Sequence, residues 1–265
     1  SDNELFTFTG ITASPFNWLE ATYYYVNIKD VFWGSQLGYL DKGFNVKFKL
    51  IDGSKFKFMP DISVGLNDLA GTGLFSSEYI VASQDFKFMN LTLGLGYGAL
   101  ANNSTVQNPL SFLGDRFKKR QSSSIENIYD VGSLSYQEWF TGDASIFGGV
   151  ELYIPKVKGL KFIIETNNYD FNLSGCAGGC LDKTSRTTKS DINFGLNYAM
   201  NDNLSFLLSI VNKDQLTLAF KLGINISGDS SSRVTRTKPT LSENNYQEKL
   251  DFYRSIKNNL NNNRL

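Results

Sequence analysis

The sequence contains no histidine. That single absence removes the commonest general base, the Ser-His-Asp arrangement and most zinc sites. No apolar run approaches the length of about 18 residues that a membrane-crossing helix requires. Excess charge is missing too: 26 Lys and Arg balance 26 Asp and Glu over 265 residues, for a net charge of +0. Bulk attraction to nucleic acid is thereby excluded, although a local basic patch is not. Cysteine is confined to Cys176 and Cys180. The acidic residues offer no pair whose proximity would support glycosidase-type catalysis. The chain opens on Ser1 without a leader, as expected of a processed chain or a segment of a longer one.

What is present is aromatic and periodic. Phe and Tyr number 21 and 13. Residues 61–100 hold three alternating segments in succession. Ile62, Val64 and Leu66 oppose Ser63, Gly65 and Asn67; Phe75, Ser77, Tyr79 and Val81 oppose Ser76, Glu78, Ile80 and Ala82; Leu91, Leu93, Leu95 and Tyr97 oppose Thr92, Gly94, Gly96 and Gly98. A period of two sends successive side chains to opposite faces of a strand. A soluble sandwich also alternates, but here the polar face is built of Gly, Ser, Thr and Asn with scattered charges. That is the pattern of a transmembrane barrel, apolar toward lipid and polar toward a lumen. A mean hydropathy of -0.23 is compatible with it, because half of each strand is polar.

Eleven strands are expected, within an all-β, transmembrane antiparallel β-barrel of about 10–12 strands. They cover residues 5–12, 18–28, 43–51, 61–67, 75–82, 91–98, 144–154, 160–169, 191–200, 204–212 and 215–227. Connections alternate in length, with turns at 13–17, 52–59, 84–90, 155–159 and 201–203 and loops at 29–42, 101–143 and 170–189. Short periplasmic turns and long external loops are the barrel habit. An odd count makes the first and last strands run the same way, so residues 1–265 alone are expected not to close into a barrel. One further strand would be required, from sequence before Ser1, from the region around Tyr129–Phe140 or from another chain, the first being favoured. Residues 1–228 form the barrel domain in this reading, and residues 229–265 a periplasmic linker and amphipathic helix. Ser242 would cap that helix, and its apolar stripe is Tyr246, Leu250, Tyr253, Ile256 and Leu260.

Parity of the strands nominates Glu20, Lys47, Lys49, Glu78, Glu151, Lys161, Glu165 and Lys221 as lumen-lining. They either line a path for a hydrated polymer or pair with one another to fill a narrow lumen; pairing is favoured, since charges away from bulk water need partners. Cys176 and Cys180, separated by Ala-Gly-Gly in an expected external loop, suit a small disulfide ring, with free thiols as the alternative. Arg116, Lys118, Lys119 and Arg120 form a loop basic patch that is either solvated or holds anionic polysaccharide or lipopolysaccharide phosphate. Gly94, Gly96 and Gly98 are no nucleotide loop; their spacing is that of a strand's inward face.

Several phrases extend the reading: Trp18-Leu-Glu-Ala-Thr22, Asp41-Lys-Gly-Phe44, Val64-Gly-Leu66, Gly71-Thr-Gly-Leu-Phe75, Glu78-Tyr-Ile-Val-Ala-Ser83, Phe147-Gly-Gly-Val-Glu151 and Asn168-Tyr-Asp170. In order and spacing, over about residues 15 to 225, the chain resembles the YjbH/GfcD-type family of outer-membrane proteins associated with exopolysaccharide and capsule secretion. The resemblance implies a non-enzymatic barrel in the outer membrane of a Gram-negative bacterium, without cofactors, taking part in polysaccharide export or assembly. A scaffold or membrane anchor with a closed lumen is the alternative. A membrane-embedded acyltransferase or protease is disfavoured by the missing histidine. The partners expected are outer-membrane lipid and lipopolysaccharide, polysaccharide, and envelope proteins reached through the tail, with no nucleic acid.

Overall fold

In the computed structural model the chain divides into two units, Ser1–Val234 and Thr235–Leu265. The structure describes residues 6–224 apart from 34–35, 54–58, 72, 74, 102–104, 121–133, 135, 167–190, 202, 212 and 214. The expected linker, the helix beginning at Ser242, and Cys176 and Cys180 all lie outside these residues.

Among the described residues twelve strands form one antiparallel sheet. They are β1 (Phe6–Phe16), β2 (Leu19–Trp33), β3 (Gln36–Ile51), β4 (Asp61–Leu69), β5 (Ser77–Asp85), β6 (Met89–Gly98), β7 (Thr105–Val106), β8 (Ala144–Tyr153), β9 (Leu160–Thr166), β10 (Ile192–Ala199), β11 (Leu204–Val211) and β12 (Gln215–Leu222). Each strand pairs with its neighbour in sequence, except that β6 pairs with β8 and the two-residue β7 attaches to the start of β8. The eleven long strands correspond to the eleven alternating segments. Among the described residues β1 and β12 do not pair with each other, so the sheet has two edges and is not closed.

Two expected connections are strands. β2 runs to Trp33 and β3 starts at Gln36, so the loop expected at 29–42 is the upper part of a long hairpin. Its register shifts between Ile28 and Phe32, where β2 carries two residues more than β3, and the run Lys29-Asp-Val-Phe-Trp33 lacks the period-two signal that would have marked it. Likewise β1 continues through Ala13 to Phe16, past a second slip, and Asn17 and Trp18 make the turn. The two longest connections, β6–β8 and β9–β10, lie at one end of the sheet together with β4–β5, and the connections at the other end, such as 52–60, 86–88 and 154–159, are shorter than those two.

The faces are inverted relative to a soluble protein. Leu93, in the middle of the sheet, is 59% exposed, whereas Asn90, on the same strand but the opposite face, is 1% exposed. Leu91, Ile146, Phe194, Leu196, Leu208 and Ile210 are exposed like Leu93, while Ser63, Ser83 and Asn193 are buried. Exposed large apolar surface together with buried polar groups is the informative combination, because ordinary folding does the reverse. At the short-turn end Phe16, Trp18, Phe86 and Phe88 stand exposed, with Phe16 stacked on Trp18 at 5.3 Å.

Candidate functional site

The polar face is a ladder of cross-strand rows. One row runs Thr12, Thr22, Asn45; the next carries Glu20, Lys47, Gly65, Tyr79, Gly96 and Ser145. Lys47 Nζ donates to Glu20 Oε1 at 2.8 Å, and Lys49 Nζ to Asp61 Oδ2 at 3.2 Å. Lys161 Nζ meets Glu151 Oε2 at 2.8 Å, and Glu165 Oε1 accepts a long 3.5 Å bond from Asn193. Opposite charges facing across a ladder are a stabilising arrangement. Lys221 sits opposite Ser205 on the exposed strand β12 and makes no ion pair among the described residues.

Glycine on this face makes room for rings. Gly65 lies directly opposite Tyr79 and Gly94 opposite Phe147, and in each case an added Cβ would collide with the ring. The two rings meet edge-on, with centroids 6.2 Å apart. A ring laid over a strand glycine replaces the side-chain packing that the glycine lacks. The spacing of Gly94, Gly96 and Gly98 belongs to this face; Phe147 covers Gly94 and Leu100 lies beside Gly96.

A second group escaped sequence reasoning. Asp68, at the long-connection end of β4, has φ 60 and is buried. Its carboxylate accepts from the Tyr24 hydroxyl at 2.7 Å and from the Phe75 N–H at 3.0 Å, while its own N–H donates to Asn45 Oδ1 at 3.1 Å. Gly71 leaves the space that this carboxylate fills. The signal available was Asp68-Leu-Ala-Gly71: Asp tolerates the left-handed region and bonds to nearby backbone, which marks a built corner.

Glu78 corrects the parity assignment. By register it shares a row with Leu66 and Tyr97, on the apolar face and not with the lumen-lining set. It is nevertheless only 1% exposed, because residues 105–120 and 136–142 fold over it as a flap. Arg120 reaches Glu78 through both guanidinium arms, at 2.8 and 3.0 Å, and donates to Ser76 Oγ at 3.0 Å. The Phe140 N–H adds a 2.9 Å bond to Glu78, with Phe140 itself at φ 58 and its ring edge-on to Tyr97. Asn108 Nδ2 ties the flap together by donating to the carbonyls of Phe117 and Phe140, both at 2.8 Å. Arg120 therefore does not belong to an exposed basic patch; Arg116, Lys118 and Lys119 do. Burial raises the Glu138 carboxyl above its ordinary value, opposed by the Arg120 charge and reinforced by that of Glu78.

The chain matches the family described as YjbH, "Exopolysaccharide biosynthesis protein YbjH", over residues 1–264. It is 34% identical over 217 residues to the Escherichia coli (strain K12) protein titled "Uncharacterized lipoprotein YjbH", which covers 77% of this chain. The chain spans only 29% of that relative's length. No solved structure matches.

Proposed function

From the premise that this chain belongs to the YjbH exopolysaccharide biosynthesis family, we propose that it is a non-enzymatic outer-membrane component of exopolysaccharide or capsule export or assembly. In this reading the sheet is the wall of a membrane-spanning barrel, with its apolar face toward lipid. One observation carries the proposal: large apolar side chains are exposed and small polar ones buried along the same strands. Strand lengths suit the task, since β5, β6 and β8 have 9, 10 and 10 residues and a spanning strand needs about 9–11. The exposed aromatics at the short-turn end have the character of an interfacial girdle. The relative's name, that of a lipoprotein, supports an envelope location.

The self-pairing of Glu20 with Lys47, Lys49 with Asp61 and Glu151 with Lys161 favours a second reading, in which the polar face is a filled interior and the protein a scaffold. Its charges already have partners, so a passing polymer would have to displace them. The whole protein's polymer and partners are part of the proposal; envelope proteins and polysaccharide are the partners it names.

Folding titrations into lipid vesicles test the membrane reading. Leu93→Arg should cost about 2–4 kcal/mol near mid-bilayer and Thr92→Arg, on the other face of the same strand, far less. Equal costs would refute a lipid-facing apolar surface. Single-channel recording then separates conduit from scaffold, because a filled interior passes little current.

A further inference from the structure

The flap has two sides. Its inner side is occupied by Glu78 and Tyr97, as described above. Its outer side exposes Phe112 at 80%, with Leu113 and Tyr136 also exposed, beside Arg116, Lys118 and Lys119. Its height on the sheet is fixed by β6. Leu91 and Leu93 on the apolar face are exposed, Leu95 is half-buried, and Tyr97 is covered completely. The flap thus sits where the bare apolar band stops, at the end opposite the Phe16, Trp18, Phe86 and Phe88 group.

Its cationic side chains are exposed. Among the described residues of the flap, three exposed cations outnumber one exposed acid, Asp115, which contacts Lys118 at 2.5 Å. Arg116 donates to the Tyr136 carbonyl at 2.6 Å and lies over the Phe117 ring, which fixes the guanidinium while leaving further N–H donors. Lys119 makes no ion pair among the described residues. Apolar tips interleaved with long cationic side chains are the composition of a surface lying between headgroups and acyl chains.

We propose that the outer side of this flap binds anionic lipid headgroups, the phosphates engaging Arg116, Lys118 and Lys119 while Phe112 and Leu113 enter the adjoining acyl layer. The proposal rests on the membrane-spanning reading. A dissolved polyanion would reward the three cations but not the exposed Phe112 and Leu113, and that is why lipid is the occupant. The flap would then fix the depth of the sheet at one leaflet, held in place by the Arg120–Glu78 contact.

The full chain is reconstituted in nanodiscs of phosphatidylcholine, with or without phosphatidylglycerol, and acetylated with a water-soluble amine reagent. Mass spectrometry reads each lysine, with Lys213 in the β11–β12 turn at the same end as reference. Phosphatidylglycerol should slow acetylation at Lys118 and Lys119 about fivefold relative to Lys213. The Phe112→Ser, Leu113→Ser double variant should lose most of that protection while still entering the discs. Protein that enters discs of both compositions with unchanged lysine reactivity overturns the headgroup site alone. Equal protection by dextran sulfate without lipid also overturns it. Failure to enter any disc overturns the membrane reading with it.

Discussion

The two ends of the sheet's width are built differently. Across β2–β8 the polar face is crowded: ion pairs bridge rows, rings lie over glycines, and a flap covers one end of β5 and β6. Across β10–β12 the same face holds Asn193, Gly195, Asn197, Ser205, Ser209 and Thr217, with no ion pair among the described residues. Both halves alternate equally well in sequence. Alternation therefore sets which way a side chain points, while stabilisation depends on what stands opposite it, and that differs between the halves.

The largest expected effect is at the crowded end. Arg120→Ala leaves Glu78 charged and buried without its guanidinium, which should cost about 3–5 kcal/mol in a denaturant titration. Lys221→Ala, on the bare side, should stay within about 0.5 kcal/mol. Comparable losses from both would erase the distinction. A sharper test uses glycine alone. Gly65→Ala must displace the Tyr79 ring and should cost about 1–3 kcal/mol, whereas at Gly195 the nearest atoms to an added Cβ are 3.4–3.5 Å away, an ordinary contact, and the change should be near neutral.

The smallest effect concerns pH. The raised Glu138 carboxyl binds a proton more readily in the folded flap than in the unfolded chain. Its contribution to stability is therefore present at low pH and lost as pH rises through the folded value. Amide exchange in residues 136–142 should quicken with rising pH beyond the intrinsic trend, and Glu138→Gln should flatten that excess. An unchanged excess in the variant would put the cause elsewhere.

Much of this was legible in the chain itself. The eleven long strands follow from period-two runs, since a half-buried ladder leaves little freedom in side-chain parity. The extension of β2 to Trp33 is hidden because Lys29 and Asp30 are followed by three apolar residues in a row, so the run does not alternate. Parity alone groups Glu78 with Ser76, Ile80 and Ala82 without saying which face of the strand is the polar one; the register puts it opposite Leu66 and Tyr97, and only a partner 42 positions away explains why it is tolerated there. No local pattern announces such a partner. The Arg116–Arg120 run likewise read as one basic patch, since sequence spacing does not reveal which of its members turns inward.

The odd number of strands along the paired path has a consequence for symmetry. A rotation about the normal of a membrane leaves every strand's sense unchanged, so it maps β1 and β12 onto copies that run the same way. Identical protomers inserted in one orientation could therefore meet edge to edge only through parallel ladders. An antiparallel junction between copies needs an axis lying in the membrane plane, which would put the long connections of one copy on the side where its neighbour has short turns. With copies held in one orientation, whatever joins these edges in the hydrogen-bonding pattern used elsewhere in the sheet must be a strand of opposite sense, and so something other than a second β1 or β12.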